Sequence, residues 1–180
     1  DKLAKDNNVT ALKMKFSENV PTKFGFINVS IATRVIDLRK SLEDIKKEIR
    51  HGHWYDITKA EKILKSEIFD CSNITKEIFG KYQEMKKLIA VDEKVRPDRT
   101  FDLMFEIIKE GNGFLVGAKE GKEFVGFSYF FLYKNYVYYG SVCVLPNKRD
   151  LFVAHFVQWQ AIKYMKEKGA HSYEIGWQVR

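Results

Sequence analysis

The last third of the chain constrains the fold most. From Phe114 to Arg180 the apolar pattern reads strand, turn, strand, loop, helix, strand. Phe114–Ala118 and Glu123–Tyr133 form a strand pair joined at Glu120-Gly121. Tyr136–Leu145 follows, then a helix from about Asp150 to Lys168, then a last strand, Ser172–Trp177. Phe124–Tyr133 and Val137–Leu145 are apolar almost throughout, as in strands covered on both faces. The expected architecture is therefore an α/β fold with a mixed, mostly antiparallel central sheet and helices on both sides.

Upstream, residues 9–17 alternate weakly, as a strand would, and Ser30–Leu38 is a second extended segment. Ser41 caps a helix that carries Leu42, Ile45 and Ile49 on one face and stops near His51-Gly52. Residues 53–62 read as a polar connection, and Ile63–Cys71 as extended. A long helix starts after Ser72-Asn73 and runs to about Ala90, with Ile78, Phe79, Tyr82, Met85, Leu88 and Ile89 as its apolar stripe. After a charged loop over 92–99, Thr100 caps a short helix, Phe101–Glu110, which Gly111-Asn112-Gly113 ends.

A chain of 180 residues with 45% apolar residues suits one domain, or one domain plus a fragment, with a substantial core. No window approaches twenty uninterrupted apolar residues, which excludes a membrane-spanning helix. Asp1–Asp6 lacks the apolar stretch of a signal peptide, and a cytoplasmic location is expected. Cys71 and Cys143 show no metal-ligand spacing and read as buried free thiols of a reducing compartment. The Asn-x-Ser/Thr triplets at Asn8, Asn28 and Asn73 are chance matches in that setting. The net charge of +7 is spread along helices, so we read solvated faces rather than a nucleic-acid groove. Such a charge still favours phosphate-bearing substrates.

The loop before the last helix bears on the donor. A coenzyme A pyrophosphate needs converging backbone N–H groups at a helix start, and glycines let the chain approach it. Here Val144-Leu145-Pro146-Asn147-Lys148-Arg149-Asp150 has no glycine, and Pro146 removes one N–H. Lys148 and Arg149 would hold some other phosphate by charge.

Amide formation from an activated ester needs an amine, a base and donors for the oxyanion, but no protein nucleophile. Candidates in the sheet–helix crevice are Tyr138, Tyr139, Ser141, His155, Glu174 and Arg180. Tyr139 could donate to a leaving oxygen, and Glu174 could hold or deprotonate the attacking amine. Each has a plainer reading, Tyr139 as a sheet aromatic and Glu174 as a strand-end carboxylate facing water. His155 shares a helix face with Phe152, Phe156 and Trp159, and both His155 and Trp159 read as core. Ser141 follows Gly140 but lacks the setting of a nucleophile elbow, which excludes a serine hydrolase. His51 and His53 have no third ligand in view, so no metal site is expected.

Many small matches in order resemble the FemABX-type aminoacyltransferases, whose domains share the acyl-CoA N-acyltransferase (GNAT) fold. They are Ile36-Asp37-Leu38, Lys59-Ala60-Glu61-Lys62, Phe114–Lys119, Val125-Gly126, Tyr138–Ser141, Trp159–Ile162, Gly169 and Tyr173–Gly176. The resemblance implies that residues 1–35 are the edge of a first GNAT-like domain and 36–180 most of a second, short of its last hairpin. It implies amide formation on a UDP- or lipid-linked peptidoglycan or other envelope precursor, with aminoacyl-tRNA as donor and no cofactor. By the family's pattern Lys59 and Arg99 carry over as phosphate-binding residues. Leu103 stands where the family often has a tyrosine, and Thr58 where it often has an arginine. Tyr139 and Glu174 are then the catalytic candidates, and Lys59, Arg99, Tyr138, Ser141, Lys148 and Arg149 the substrate-binding ones. Two other readings remain, an acetyl-CoA-dependent N- or O-acetyltransferase acting on a sugar and a non-catalytic GNAT-like binding domain.

Overall fold

The structure, a computed structural model, describes residues 32–90 and 96–178. The strand expected over 9–17, most of the expected domain edge at 1–35, and Arg180 lie outside the described residues.

Among the described residues six strands form one sheet: β1 (Ala32–Asp37), β2 (Leu64–Phe69), β3 (Gly113–Glu120), β4 (Glu123–Tyr133), β5 (Tyr136–Val144) and β6 (Ser172–Gln178). Their order is β1-β6-β5-β4-β3-β2. Every neighbouring pair is antiparallel except β5 and β6. That pair runs parallel because the chain between them crosses over through a 3-10 helix (Pro146–Leu151) and a long α-helix, Val153–Glu167. The sheet is thus mixed and mostly antiparallel, as expected.

Helices cover both faces. On one face lie α1 (Leu42–Glu48), α2 (His51–Glu61) and α5 (Val153–Glu167). On the other lie α3 (Lys76–Ile89) and α4 (Asp98–Lys109). Strand β3 shows why both are needed: Phe114 and Val116 enter the core with Ile57, Phe156 and Ile162, while Leu115 enters the other with Phe79, Tyr82 and Met104. An apolar strand can bury every side chain only between two helical layers.

Local chemistry fixes most ends. The Ser41 hydroxyl accepts from the Asp44 N–H at 3.1 Å and starts α1. Thr75 accepts from the Ile78 N–H at 3.2 Å and starts α3, later than the sequence suggested.

Other expectations need correction. Residues 53–62 are not a connection but nearly all of α2. Its apolar face is only Trp54, Ile57 and Ala60, too sparse to announce a helix, and packing against α5 completes it. Trp54 meets Trp159 edge-on at 5.1 Å between ring centres. Helix α1 ends at Glu48, before His51. Thr100 does not cap α4: that helix starts at Asp98 with Pro97 before it, and Thr100 N–H already bonds Pro97 O at 2.9 Å. Cys71 is exposed in the turn after β2, and only Cys143 is buried. The last helix starts at Val153 rather than Asp150, because Phe152 sits in the left-handed region at φ 54° and separates the 3-10 turn from α5.

Candidate active site

Strands β5 and β6 pair only at Tyr136↔Ser172, Val137↔Tyr173 and Tyr138↔Glu174. Beyond that point β5 continues against β4 and β6 against β1. The sheet therefore splits, and a crevice opens between Tyr139–Val144 and the end of β6.

At the mouth of the split β5 bulges. Tyr129 pairs with Ser141, but the next residue, Phe130, pairs with Tyr139, leaving Gly140 extra. A Cβ on Gly140 would come within 2.8 Å of the Phe131 ring, so only glycine fits there without movement. The bulge shifts the alternation of β5. Tyr139, Val142 and Val144 pack with the α5 layer, whereas Cys143 packs with the α3–α4 layer.

Tyr139 faces α5, with its hydroxyl against Gln158 and Ser128. Burial raises its pKa, and those two hydrogen-bond partners offset part of the rise. The Tyr173 hydroxyl donates to Gln158 Oε1. Ser128 Oγ donates to the Ser141 carbonyl at 3.1 Å.

The other face holds a second polar group. Glu174 is 4% exposed, not a carboxylate facing water. Its Oε1 accepts from Thr33 Oγ1 at 3.0 Å and its Oε2 from the Tyr136 hydroxyl. Burial, followed by this contact with Glu174, pushes the Tyr136 phenol up. Tyr138 rests on the Phe131 ring, 6.4 Å between centres. Ser141 Oγ lies 2.7 Å from the Tyr82 hydroxyl of α3. Tyr139 and Glu174 therefore sit on adjoining strands at the split but on opposite faces of the sheet.

The phosphate-binding candidates divide similarly. Lys59 Nζ lies over the Phe152 ring, 5.2 Å from its centre. Arg149 and Phe152 line a cavity of about 300 Å³ at the start of α5, together with Ile89 and Val142–Val144. Lys59 and Arg149 thus converge on the entry to α5. Lys148 turns to the β3–β4 hairpin, where it pairs with Glu120 at 2.5 Å. Arg99 is exposed on the first turn of α4, in the other helical layer.

His155 corrects the sequence reading. It is not core: its side chain is 39% exposed, stacked on His53 at 4.6 Å between ring centres. Its Nδ1 lies 3.2 Å from Asp56 Oδ2. Burial and the adjacent His53 lower its pKa. Trp159 is buried, as expected. Among the described residues no group of His, Cys, Asp and Glu is arranged to hold a metal ion. No helix among them is long and apolar enough to cross a membrane.

Gln158, Thr33, Tyr136 and Tyr82 were missed in the sequence. Gln158 left one signal, a polar residue between Val157 and Trp159 in an otherwise buried stretch of helix.

Residues 76–179 match the acetyltransferase (GNAT) family, a span from α3 to the end of β6. The chain belongs to that family. A search of curated proteins finds no match. Among solved structures this GNAT fold is similar to FemX, with TM-score 0.69 and 13% identity over 82% of this chain and 53% of that one. It is also similar to the C-terminal domain of a putative lysylphosphatidylglycerol synthetase from Agrobacterium fabrum. There the TM-score is 0.62 and the identity 11%, over 81% of this chain and 46% of that one. L-PGS from Bacillus licheniformis gives 0.59 and 12%, over 81% and 44%. The chain spans about half the length of each of these. At such identities the likeness concerns the fold.

Proposed function

We propose that this GNAT-family acyltransferase moves an aminoacyl group from aminoacyl-tRNA onto an amine of a cell-envelope or peptidoglycan precursor. The observation that carries the reading is the β5–α5 connection. It is a 3-10 turn without glycine whose donors turn inward: Lys148 N–H bonds Leu145 O at 2.9 Å and Phe152 N–H bonds Arg149 O at 3.3 Å. Pro146 supplies no N–H. A turn that spends its donors on itself is a poor cradle for the pyrophosphate of coenzyme A. An ester donor that carries its phosphates elsewhere does not need that cradle. The fold likeness to FemX and to two lysylphosphatidylglycerol synthetases agrees with an aminoacyl donor.

In this reading the acceptor amine attacks the acyl carbonyl, an amide C–N bond forms, and the ester C–O bond breaks. Glu174 holds the amine and takes its proton, while Tyr139 donates to the leaving oxygen. A substrate lying in the split has Tyr139 on one side and Glu174 on the other. Tyr138 and Ser141 line the same strand. Lys59 and Arg149 meet a phosphate at the start of α5, with Lys148 and Arg99 further out.

One observation favours acetyl-CoA as the donor instead. The cavity of about 300 Å³ lies at the first turn of α5 with Arg149 on its wall. Thermal shift separates the two, because a ligand that binds only the folded chain raises its melting temperature. A rise with a UDP-linked muropeptide and none with acetyl-CoA supports the aminoacyl reading, and transfer from charged tRNA then tests it directly. A rise with acetyl-CoA alone overturns it. A rise with neither favours a non-catalytic GNAT-like binding domain.

A further inference from the structure

Glu174 is held from both neighbouring strands. On one side the Tyr136 hydroxyl of β5 donates to its Oε2. On the other, Thr33 Oγ1 of β1 lies 3.0 Å from its Oε1. Thr33 stands outside residues 76–179, so the site draws on a strand that the family match does not include.

The same Thr33 oxygen lies 2.9 Å from the carbonyl oxygen of Gly176. A bulge brings the two acceptors together. Between Thr33↔Trp177 and Val35↔Glu174, β1 advances two residues while β6 advances three. Gly176 lies in that stretch at φ 92°, a backbone conformation that glycine adopts readily. Glu174 Oε1 and Gly176 O thus compete for one hydroxyl, and a threonine has a single proton to give.

Charge decides between them. A carboxylate is the stronger acceptor, so Thr33 donates to Glu174 while Glu174 is ionised. Once Oε1 carries a proton it becomes a donor, and the Thr33 oxygen is beside it. Thr33 then accepts from Oε1 and turns its own proton to Gly176 O. Both charge states of a carboxyl that is 4% exposed therefore keep Thr33 as a partner, where burial holds bulk water away.

We propose that Thr33 is a positioning residue that turns its hydroxyl between Glu174 Oε1 and Gly176 O as Glu174 takes and releases a proton. The functional half rests on the reading that Glu174 is the base. In that step an N–H bond of the acceptor amine breaks and an O–H bond forms at Oε1. Thr33 keeps its own proton and changes only the acceptor.

Two readouts test this in the full chain. The first needs no substrate. Glu174→Gln imitates the protonated carboxyl: its oxygen accepts from Tyr136, and its NH₂ donates to Thr33. At neutral pH the ¹³C′ resonance of Gly176 moves on Glu174→Gln when Thr33 is present. It moves much less when the same change is made in Thr33→Val, which has the shape of threonine without the hydroxyl. In Thr33→Ser it moves as in wild type. Equal movement with threonine and valine at 33 overturns the proposal. The second is transfer kinetics. Thr33→Val loses about tenfold in kcat at neutral pH, with KM within about twofold, and Thr33→Ser recovers most of the rate. A kcat for Thr33→Val equal to that of wild type, or a Thr33→Ser no faster than Thr33→Val, overturns the functional half. Should wild type transfer nothing from charged tRNA or from acetyl-CoA, the acyltransferase reading fails, and the Gly176 resonance alone decides the role of Thr33.

Discussion

The Tyr82 hydroxyl of α3 and Ser141 Oγ of β5 lie 2.7 Å apart, one residue past the bulge at Gly140. Burial pushes the Tyr82 phenol up to about 12, so it stays neutral over the physiological range. Tyr82→Phe leaves the Ser141 hydroxyl short of a partner and should cost about 1–2 kcal/mol in urea unfolding. Ser141→Ala should cost a similar amount, and the double variant less than the sum of the two. Full additivity would mean that the hydroxyls do not interact.

Gly126 lets α5 approach the sheet. A Cβ there would lie 2.5 Å from Val153 Cγ1 and 2.9 Å from the Cys143 carbonyl oxygen. Gly126→Ala should therefore destabilise by about 1–3 kcal/mol through overpacking. Adding Val153→Ala should recover only part of the loss, because the carbonyl contact remains. Thermal melts of the three variants decide this, and an unchanged melting temperature for Gly126→Ala would show that the approach is looser.

The two thiols should behave differently. Cys71 is exposed, whereas Cys143 is buried, with burial pushing its thiol up to about 12. An aromatic disulfide reagent at neutral pH should label one thiol promptly and the second only on unfolding. Peptide mapping should place the fast label at Cys71. Two fast thiols would mean that β5 opens readily.

Asp70 sets an acid limit. Its carboxylate accepts from the Ser72 hydroxyl at 2.5 Å and the Tyr164 hydroxyl at 2.7 Å, with Lys168 Nζ at 3.3 Å. The Ser72 bond comes first among the causes that hold its pKa well below the usual carboxylate range. A pKa lower in the folded state means that the contribution is present above the unfolded value and lost as pH falls through the folded one. Asp70→Asn should cost about 1–2 kcal/mol at pH 7, and the gap to wild type should close as pH drops below about 4. A gap that persists at low pH would assign the loss to packing instead.

The chemistry of neighbouring residues determined what the sequence could tell by itself. Strands β3 to β6 are long apolar runs between turn residues, and their pattern needs no partner to be legible. Ser41 caps α1 through a contact three residues away, so it too was readable. Helix α2 was not, because its three inward residues form a helix face only once Trp159 and its neighbours on α5 lie beneath them. The site divides in the same way. Tyr139, Glu174, Lys59 and Arg149 could be picked as residue types suited to acyl and phosphate chemistry, and all four lie near the split or the start of α5. That Tyr139 and Glu174 face opposite sides of the sheet depends on strand register and on the one-residue bulge at Gly140. Gln158 owes its place to a helix that returns over the sheet after a crossover, so its partners lie on two strands. Contacts between residues distant in the chain are set by how elements dock, and a linear pattern of polar and apolar residues carries little record of that.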